Sequence, residues 1–155
     1  MSNKCVNFYL ISGNFLGVVI KICEKLYVLG ENALLLFDND DDLKEADSKL
    51  WTYSKSSFLP HGSKFSISID DANYCNVWLS TSIEFLNNPK YLIHNGLSNI
   101  SSTAKNFEKL IDIFNANQEN LAKERSSFYK TLGFNSEKIW KFDNKEWELC
   151  ENFSN

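Results

Sequence analysis

Proline and arginine are nearly absent from this chain of 155 residues, which contains two prolines and a single arginine, Arg125. Few prolines, with 43% hydrophobic and 14% aromatic residues, argue against long disordered segments. A net charge of −4 disfavours direct nucleic-acid binding, because phosphate contacts normally need a surplus of lysine and arginine. We expect a single domain over residues 1–155, able to bury about 70% of its unfolded surface.

Long hydrophobic runs, paired cysteine motifs and nucleotide-binding motifs are also missing. The longest apolar runs, such as residues 15–20, are far shorter than the roughly 20 residues that span a bilayer. The four cysteines lack CxxC or Cys/His metal-ligand spacing, and the first residues lack the features of a signal peptide. We expect a cytoplasmic protein with reduced thiols, two of them buried, no membrane contact, and no metal or other cofactor.

Apolar periodicity predicts a β-α-β-α opening, and therefore a mostly parallel central sheet flanked by helices. The predicted strands are residues 6–11, 33–37, 77–80 and 91–94, and the predicted helices are residues 16–26 and 41–52. The glycines after the first strand lack the lysine of a phosphate-binding loop. A nucleotide-binding or hydrolytic enzyme on a Rossmann-like fold is therefore kept only as an alternative.

The remaining segments are less regular. Residues 54–62 are predicted to form a loop, and residues 64–76 either continue it or form an edge strand with alternating apolar side chains. Residues 110–114 fit either a helix that begins at Thr103 or a fifth strand. Residues 138–150 predict a C-terminal antiparallel hairpin with its turn at residues 143–145.

The stretch from Lys123 to Asn135 predicts one amphipathic helix that Gly133 ends. Its predicted inner face carries Leu121, Phe128 and Leu132. At about 100° per residue, Lys123, Ser127 and Lys130 fall within an arc of roughly 60° on another face. Such a short basic stripe is usually solvated surface, and a binding site is the less common interpretation.

A second group of residues admits two interpretations. Trp51, Phe58, Leu59 and Pro60 could form core, as large aromatic residues usually do, or an exposed interface anchor around a proline-containing loop. The two histidines, His61 and His94, have no serine or cysteine partner that sequence can identify, so a structural role is favoured for both.

Two blocks of the sequence resemble the chi subunit of bacterial DNA polymerase III holoenzyme. They are LWTYSKSSFLPHGS at residues 50–63 and LAKERSSFYKTLGFN at residues 121–135. The early strand VNFYL also matches, and KIWKFDNKEWEL is similar to the C-terminal hairpin of the alphaproteobacterial type. The resemblance runs along the whole chain and is weakest between residues 63 and 105. It implies a Rossmann-like α/β fold and a non-enzymatic accessory subunit of the clamp loader.

The family resemblance also implies a site for the acidic C-terminal tail of single-stranded DNA-binding protein, whose final residue is Phe. The implied site residues are Lys123, Ser127, Lys130, Gly133, Phe134 and Phe114. Lysine ammonium groups would meet the tail carboxylates while an apolar floor takes the ring. Ser127 replaces a basic residue of the family, and both lysines replace arginines, so tail binding is expected to be weaker and more salt-sensitive.

A second interface is implied on the opposite side of the family fold, where the first block contacts the psi subunit. The implied residues are Trp51, Phe58, Leu59, Pro60 and His61. Some members of the family have no recognisable psi subunit, so this surface could instead serve the clamp loader directly or a helicase-like partner.

Overall fold

The computed structural model describes residues 4–53, 59–95, 100–142 and 146–154, and the side chains of Trp51 and Tyr53 are excepted. Helices and strands alternate along most of these ranges. The strands are β1 Cys5–Ile11, β2 Ala33–Leu36, β3 His61–Gly62, β4 Val77–Ser80, β5 Tyr91–His94, β6 Lys109–Asn115, β7 Ser136–Phe142 and β8 Trp147–Cys150. The α-helices are α1 Phe15–Val28, α2 Asp40–Tyr53 and α3 Glu119–Thr131.

The chain comprises two compact units, of which one is residues 16–92. In this unit β3 and β2 both pair in parallel with β4, with Ala33 opposite Val77. Every residue of β2 and β4 is buried. The predicted central strand at residues 33–37, apolar on both sides, is therefore confirmed, because a strand covered on two faces needs apolar side chains on both.

The other unit consists of residues 1–15 and 93–155. Its strand order is β6-β1-β7-β8, in which β1 pairs in parallel with β6 and β7, and β7 pairs antiparallel with β8. Phe8 lies opposite both Asp112 and Ile139. Residues paired in register share a face of the sheet, so Phe8, Asp112 and Ile139 face the same way. Tyr129 of α3 contacts this face through the Phe8 ring and the Asp112 carboxylate.

The predicted fold class is confirmed: α/β, with mostly parallel strands, flanking helices and an antiparallel hairpin at the C-terminal end. The strand alternative for residues 110–114 is correct, since β6 covers them. Both alternatives for residues 64–76 are incomplete, because a turn leads into a 3₁₀ helix, Ile69–Tyr74. The predicted edge strand there is wrong. The predicted turn at residues 143–145 lies outside the described residues.

Two smaller predictions concern the thiols and the membrane. All four cysteines are free, and Cys23 and Cys75 are buried. Complete burial raises the pKa of the Cys23 thiol to about 12. Across the ranges described above, no helix is both long enough and apolar enough to cross a bilayer.

Candidate functional site

Gly133 ends α3 as the sequence predicts. Its φ of 97° is a left-handed conformation that strains any residue with a Cβ atom. The amide of Gly133 donates to the carbonyl of Lys130 at 3.1 Å, and the amide of Phe134 donates to the carbonyl of Tyr129 at 3.1 Å. This pair of bonds is the Schellman motif, and it caps carbonyls that the helix leaves without partners. The turn fixes where α3 stops and where Phe134 enters the core.

The buried face of α3 differs from the predicted one. Ala122, Ser126 and Tyr129 are the buried residues of this helix. Leu121, Phe128 and Leu132 are only half-buried, so the predicted inner face is wrong by about one residue of helical phase. The basic stripe nevertheless lies on the outer side of α3, since Ser127 and Lys130 are exposed and Lys123 is half-buried.

The three residues of the basic stripe, Lys123, Ser127 and Lys130, have different local partners. Lys123 Nζ donates to the backbone carbonyl of Ser154. Ser127 Oγ donates to the carbonyl of Lys123 at 3.4 Å, one helical turn back. Lys130 Nζ lies 3.9 Å from the Glu137 carboxylate, with the lysine side chain 55% exposed. The stripe therefore offers two ammonium groups at the surface, each with a partner from its own chain.

The two predicted aromatic residues of the site, Phe114 and Phe134, are both 1% exposed. Phe114 packs against Phe8 with ring centroids 6.3 Å apart. Phe134 meets Tyr129 edge to face at 6.3 Å, and Lys4 Nζ lies 4.9 Å from its ring centroid. Both rings belong to the buried core beneath α3, so they support the helix and are not part of the exposed surface.

Beneath α3 lies a buried polar network that sequence reasoning did not find. Tyr129 Oη donates to Asp112 Oδ2 at 2.7 Å, and His94 Nε2 lies 2.8 Å from the same hydroxyl. Because the hydroxyl donates to Asp112, His94 Nε2 carries a proton and donates to the hydroxyl oxygen. All three residues are fully buried. The three residues are far apart in the sequence. They meet only because β5, β6 and α3 pack together in the folded protein.

Burial dominates the protonation of this network. It raises the pKa of Asp112 to about 7, although the Tyr129 hydrogen bond and the positive charge of Arg125 act to lower it. Burial, aided by Arg125, lowers the pKa of His94 to about 3. The pKa of Tyr129 lies well above its ordinary value, through burial and the nearby Asp112 carboxylate. His94 is therefore neutral at physiological pH, and the network tethers α3 to β5 and β6.

Two charged residues beside the stripe were also missed. Glu119, in the first turn of α3, lies 3.0 Å from Lys141 of β7. Burial raises the pKa of Glu119, but hydrogen bonds from Lys141 and Ser154 outweigh that effect and lower it. Lys141 is two residues beyond Ile139 and so projects from the same face of β7 toward α3. The alternation Glu137, Ile139, Lys141 was the signal in the sequence that could have identified this pair.

The second candidate surface is only partly described, because Phe58 and the side chain of Trp51 lie outside the described residues. Leu59 and His61 are buried at 8% and 3% exposure, and Pro60 is half-buried. The predicted loop is wrong at its end, because His61–Gly62 forms β3.

His61 is held from two sides within this unit. Its Nδ1 donates to the Leu59 carbonyl at 2.8 Å, and its Nε2 lies 3.6 Å from the Asp47 carboxylate. The other oxygen of Asp47 accepts from Ser63 Oγ at 2.7 Å. The cluster orders the backbone on either side of β3, which agrees with the structural role expected for His61.

The fold and the site define a class: an α/β protein of mostly parallel strands whose candidate residues form a charged surface on a helix. The family model described as "DNA polymerase III chi subunit, HolC" matches residues 4–137. The chain therefore belongs to the DNA polymerase III chi subunit family, a family of replication accessory subunits.

A curated relative agrees with this assignment. A protein of Rickettsia prowazekii (strain Madrid E), described as "Probable DNA polymerase III subunit chi", is 35% identical to this chain over 51 residues. The match takes in 33% of this chain and 31% of the relative, so it spans about a third of the relative's length.

Proposed function

We propose that this protein is a non-catalytic replisome adapter with two binding surfaces. The stripe on α3 binds the acidic C-terminal tail of single-stranded DNA-binding protein, and the surface around residues 51–61 docks on the psi subunit or directly on another clamp-loader protein. The adapter works in the cytoplasm as one domain over residues 1–155, without a cofactor and without direct contact to nucleic acid. Family membership supports the replication role, and the outward projection of Lys123, Ser127 and Lys130 carries the tail site.

The chemistry of the stripe suits an acidic peptide. Lys130 and Glu137 are separated by 3.9 Å, which is longer than a hydrogen bond, so an incoming carboxylate can compete for this ammonium group. The position of Lys130 in the last turn of α3 adds little attraction of its own, because the helix dipole is negative there. Binding therefore depends on the side-chain charges. Added salt should weaken it, because salt screens such charges, with a screening length of about 8 Å at physiological ionic strength.

Lys123→Glu is expected to weaken binding of a labelled acidic peptide ending in Phe by about tenfold, because it replaces an attraction with a repulsion at one of the two cationic residues of the stripe. Fluorescence anisotropy at two salt concentrations measures the effect. Lys138→Glu is the matched control, since Lys138 is an exposed lysine on β7 that projects from the opposite face to Ile139 and α3. It should change the dissociation constant little.

Equal affinity for wild type and Lys123→Glu, with no dependence on salt, would show that the tail site is elsewhere. The enzyme alternative has its own readout in the same samples. If ATP or another nucleotide raises the melting temperature while the peptide does not, the chain binds nucleotides and the adapter proposal fails.

For the second surface we propose a division of roles among the predicted residues. Leu59 and His61 are buried and hold the backbone. The contact area is assigned to Trp51, Phe58 and Pro60. Interface energy usually concentrates in a few aromatic anchors whose neighbours exclude water. Substitution of an anchor should therefore remove the interaction without unfolding the protein.

Phe58→Ala is expected to abolish recovery of clamp-loader proteins in a pull-down while leaving peptide binding intact, because loss of an aromatic anchor costs at least about 2 kcal/mol. Phe65→Ala is the matched control, since Phe65 is an exposed phenylalanine of the same unit at 43% exposure. Loss of both activities in Phe58→Ala would indicate a folding defect. Unchanged recovery would refute this docking surface.

A further inference from the structure

The segment that follows β8 lies against the helix face that carries the basic stripe. Three polar contacts fix Ser154 there. Its carbonyl accepts from Lys123 Nζ, its amide donates to Glu119 Oε2 at 2.7 Å, and its hydroxyl accepts from Lys141 Nζ at 2.5 Å. Charged partners make each of these bonds stronger than a neutral one. The segment therefore uses the same ammonium group that the proposed tail site needs.

Phe153 provides an apolar contact beside these bonds. Its half-buried ring meets the Phe8 ring edge to face, with centroids 5.3 Å apart and planes inclined by 64°. Phe8 in turn contacts Phe114 at 6.3 Å and Tyr129 at 6.0 Å. The Phe153 ring thus rests on the aromatic cluster beneath α3, to which the predicted site residue Phe114 belongs.

The docked segment has the chemical character of the proposed ligand. Residues 151–153 read Glu-Asn-Phe, an acidic residue followed closely by an aromatic ring. A phenylalanine side chain lies on an apolar floor, and a main-chain oxygen just beyond it meets the Lys123 ammonium group. The surface beside α3 therefore already holds a peptide in which an aromatic ring and an oxygen acceptor stand at adjacent residues.

We propose that residues 151–154 are a built-in competitor that covers the tail site and must be displaced before a partner's acidic tail binds. This inference rests on the proposed function, because the competition is for Lys123 and for the aromatic floor. Displacement also frees a charged group at the site. Once the Ser154 amide leaves, Glu119 keeps Lys141 as its partner, and Lys123 becomes available to a carboxylate.

The expected consequence is that the isolated protein binds the tail more weakly than its site allows. If the segment covers the site for nine-tenths of the time, the apparent dissociation constant is about tenfold above the intrinsic one. Phe153→Ala removes the ring that holds the segment, and should therefore tighten binding of the labelled acidic peptide ending in Phe by up to about tenfold. A chain that ends at Cys150 should behave in the same way.

Asn152→Ala is the matched control, because Asn152 is an exposed neighbour in the same segment, and its substitution should leave the dissociation constant unchanged. Hydrogen exchange of the unmodified protein gives a second measurement that needs no variant. The Ser154 amide, which donates to Glu119, should be protected in the free protein and lose its protection when the peptide saturates the site.

The outcomes separate the two proposals. Tighter binding by Phe153→Ala together with loss of Ser154 protection supports the competitor. If the peptide binds wild type and Phe153→Ala equally, or if Ser154 stays protected in the saturated complex, the competitor is refuted while the tail site stands. If wild type, Phe153→Ala and the shortened chain all fail to bind the peptide, the proposed function is refuted and the competitor with it.

Discussion

Phe134→Ala is expected to lower the free energy of unfolding by about 3–5 kcal/mol, the usual cost of removing a buried phenylalanine ring. Phe134 is 1% exposed and makes an edge-to-face contact with Tyr129. It also follows Gly133 in the turn that ends α3, so its ring anchors the end of the helix that carries the basic stripe. Urea denaturation measures the effect.

The matched control for this prediction is Phe134→Leu, which keeps an apolar side chain in the same space and should lose much less stability. Binding of the acidic peptide distinguishes a structural role of Phe134 from direct contact with the ligand. Because the ring is buried, the folded fraction of Phe134→Leu should bind the acidic peptide nearly as well as wild type. A large loss of affinity in a fully folded Phe134→Leu protein would mean that this ring contacts the ligand directly.

Asp112→Asn is expected to make the slope of stability against pH more positive between about pH 4 and 6.5, by up to about 1.4 kcal/mol per pH unit. The folded-state pKa of Asp112 is raised from 3.8 to about 7. The native protein therefore holds a proton that the unfolded chain releases, so unfolding becomes more favourable and the wild type loses stability as pH rises across that window. The amide of the variant does not titrate, so this loss disappears.

His94 acts in the opposite direction. Its folded-state pKa is lowered from 6.5 to about 3, so the unfolded chain takes up the proton first and stability rises with pH over that interval. In wild type the two effects oppose each other, and in Asp112→Asn only the rise due to His94 remains. Denaturation of both proteins from pH 4 to 7 measures the slopes, with Asp70→Asn as the control at an exposed aspartate. Parallel slopes for wild type and Asp112→Asn would contradict the account of the network.

The parts of the fold that sequence predicted are those with strong local periodicity. The strands at residues 33–36 and 77–80 contain continuous apolar runs, the second one ending at Leu79. Helix α1 repeats apolar residues at helical spacing, and Gly30, with a φ of 73°, follows it. These signals depend on neighbours in the chain and on the burial of one face. The short strand β3 carries no such signal, since its two residues are ordered by pairing with β4 and by the distant Asp47.

The buried face of α3 was assigned incorrectly for a related reason. Leu121, Phe128 and Leu132 follow one another at intervals of seven and four residues, and this helical spacing predicted them as the inner face. The helix instead buries the small residues Ala122 and Ser126, which allow close approach to the sheet, and Ser126 Oγ donates to Glu137 at 2.5 Å. The hydroxyl of Tyr129 is hydrogen-bonded to Asp112 and to His94 at the same time. Pairings across the sheet decide this phase, and they cannot be read from one helix.

In the candidate site, too, some residues could be identified from the sequence, whereas their contacts could not. The resemblance identified Lys123 and Lys130, which are at the surface of α3. It gave no indication that Ser154 contacts Lys123, or that Glu119 and Lys141 hold Ser154 in place. Those contacts depend on the register of β7 against β1 and on the path of the chain after β8. The sequence identified the helix, but the residues that contact it follow only from the three-dimensional arrangement of the strands.

The most direct test of the α3 tail site is a nuclear magnetic resonance titration of the isotope-labelled protein with an unlabelled acidic peptide ending in Phe. A tail site on α3 should give saturable shift changes at the amides of Lys123, Ser127 and Lys130 and at Ser154, with the amides of Leu59 and His61 unaffected. Changes concentrated at Leu59 and His61, or no saturable change at α3 when the peptide is in excess, would contradict it.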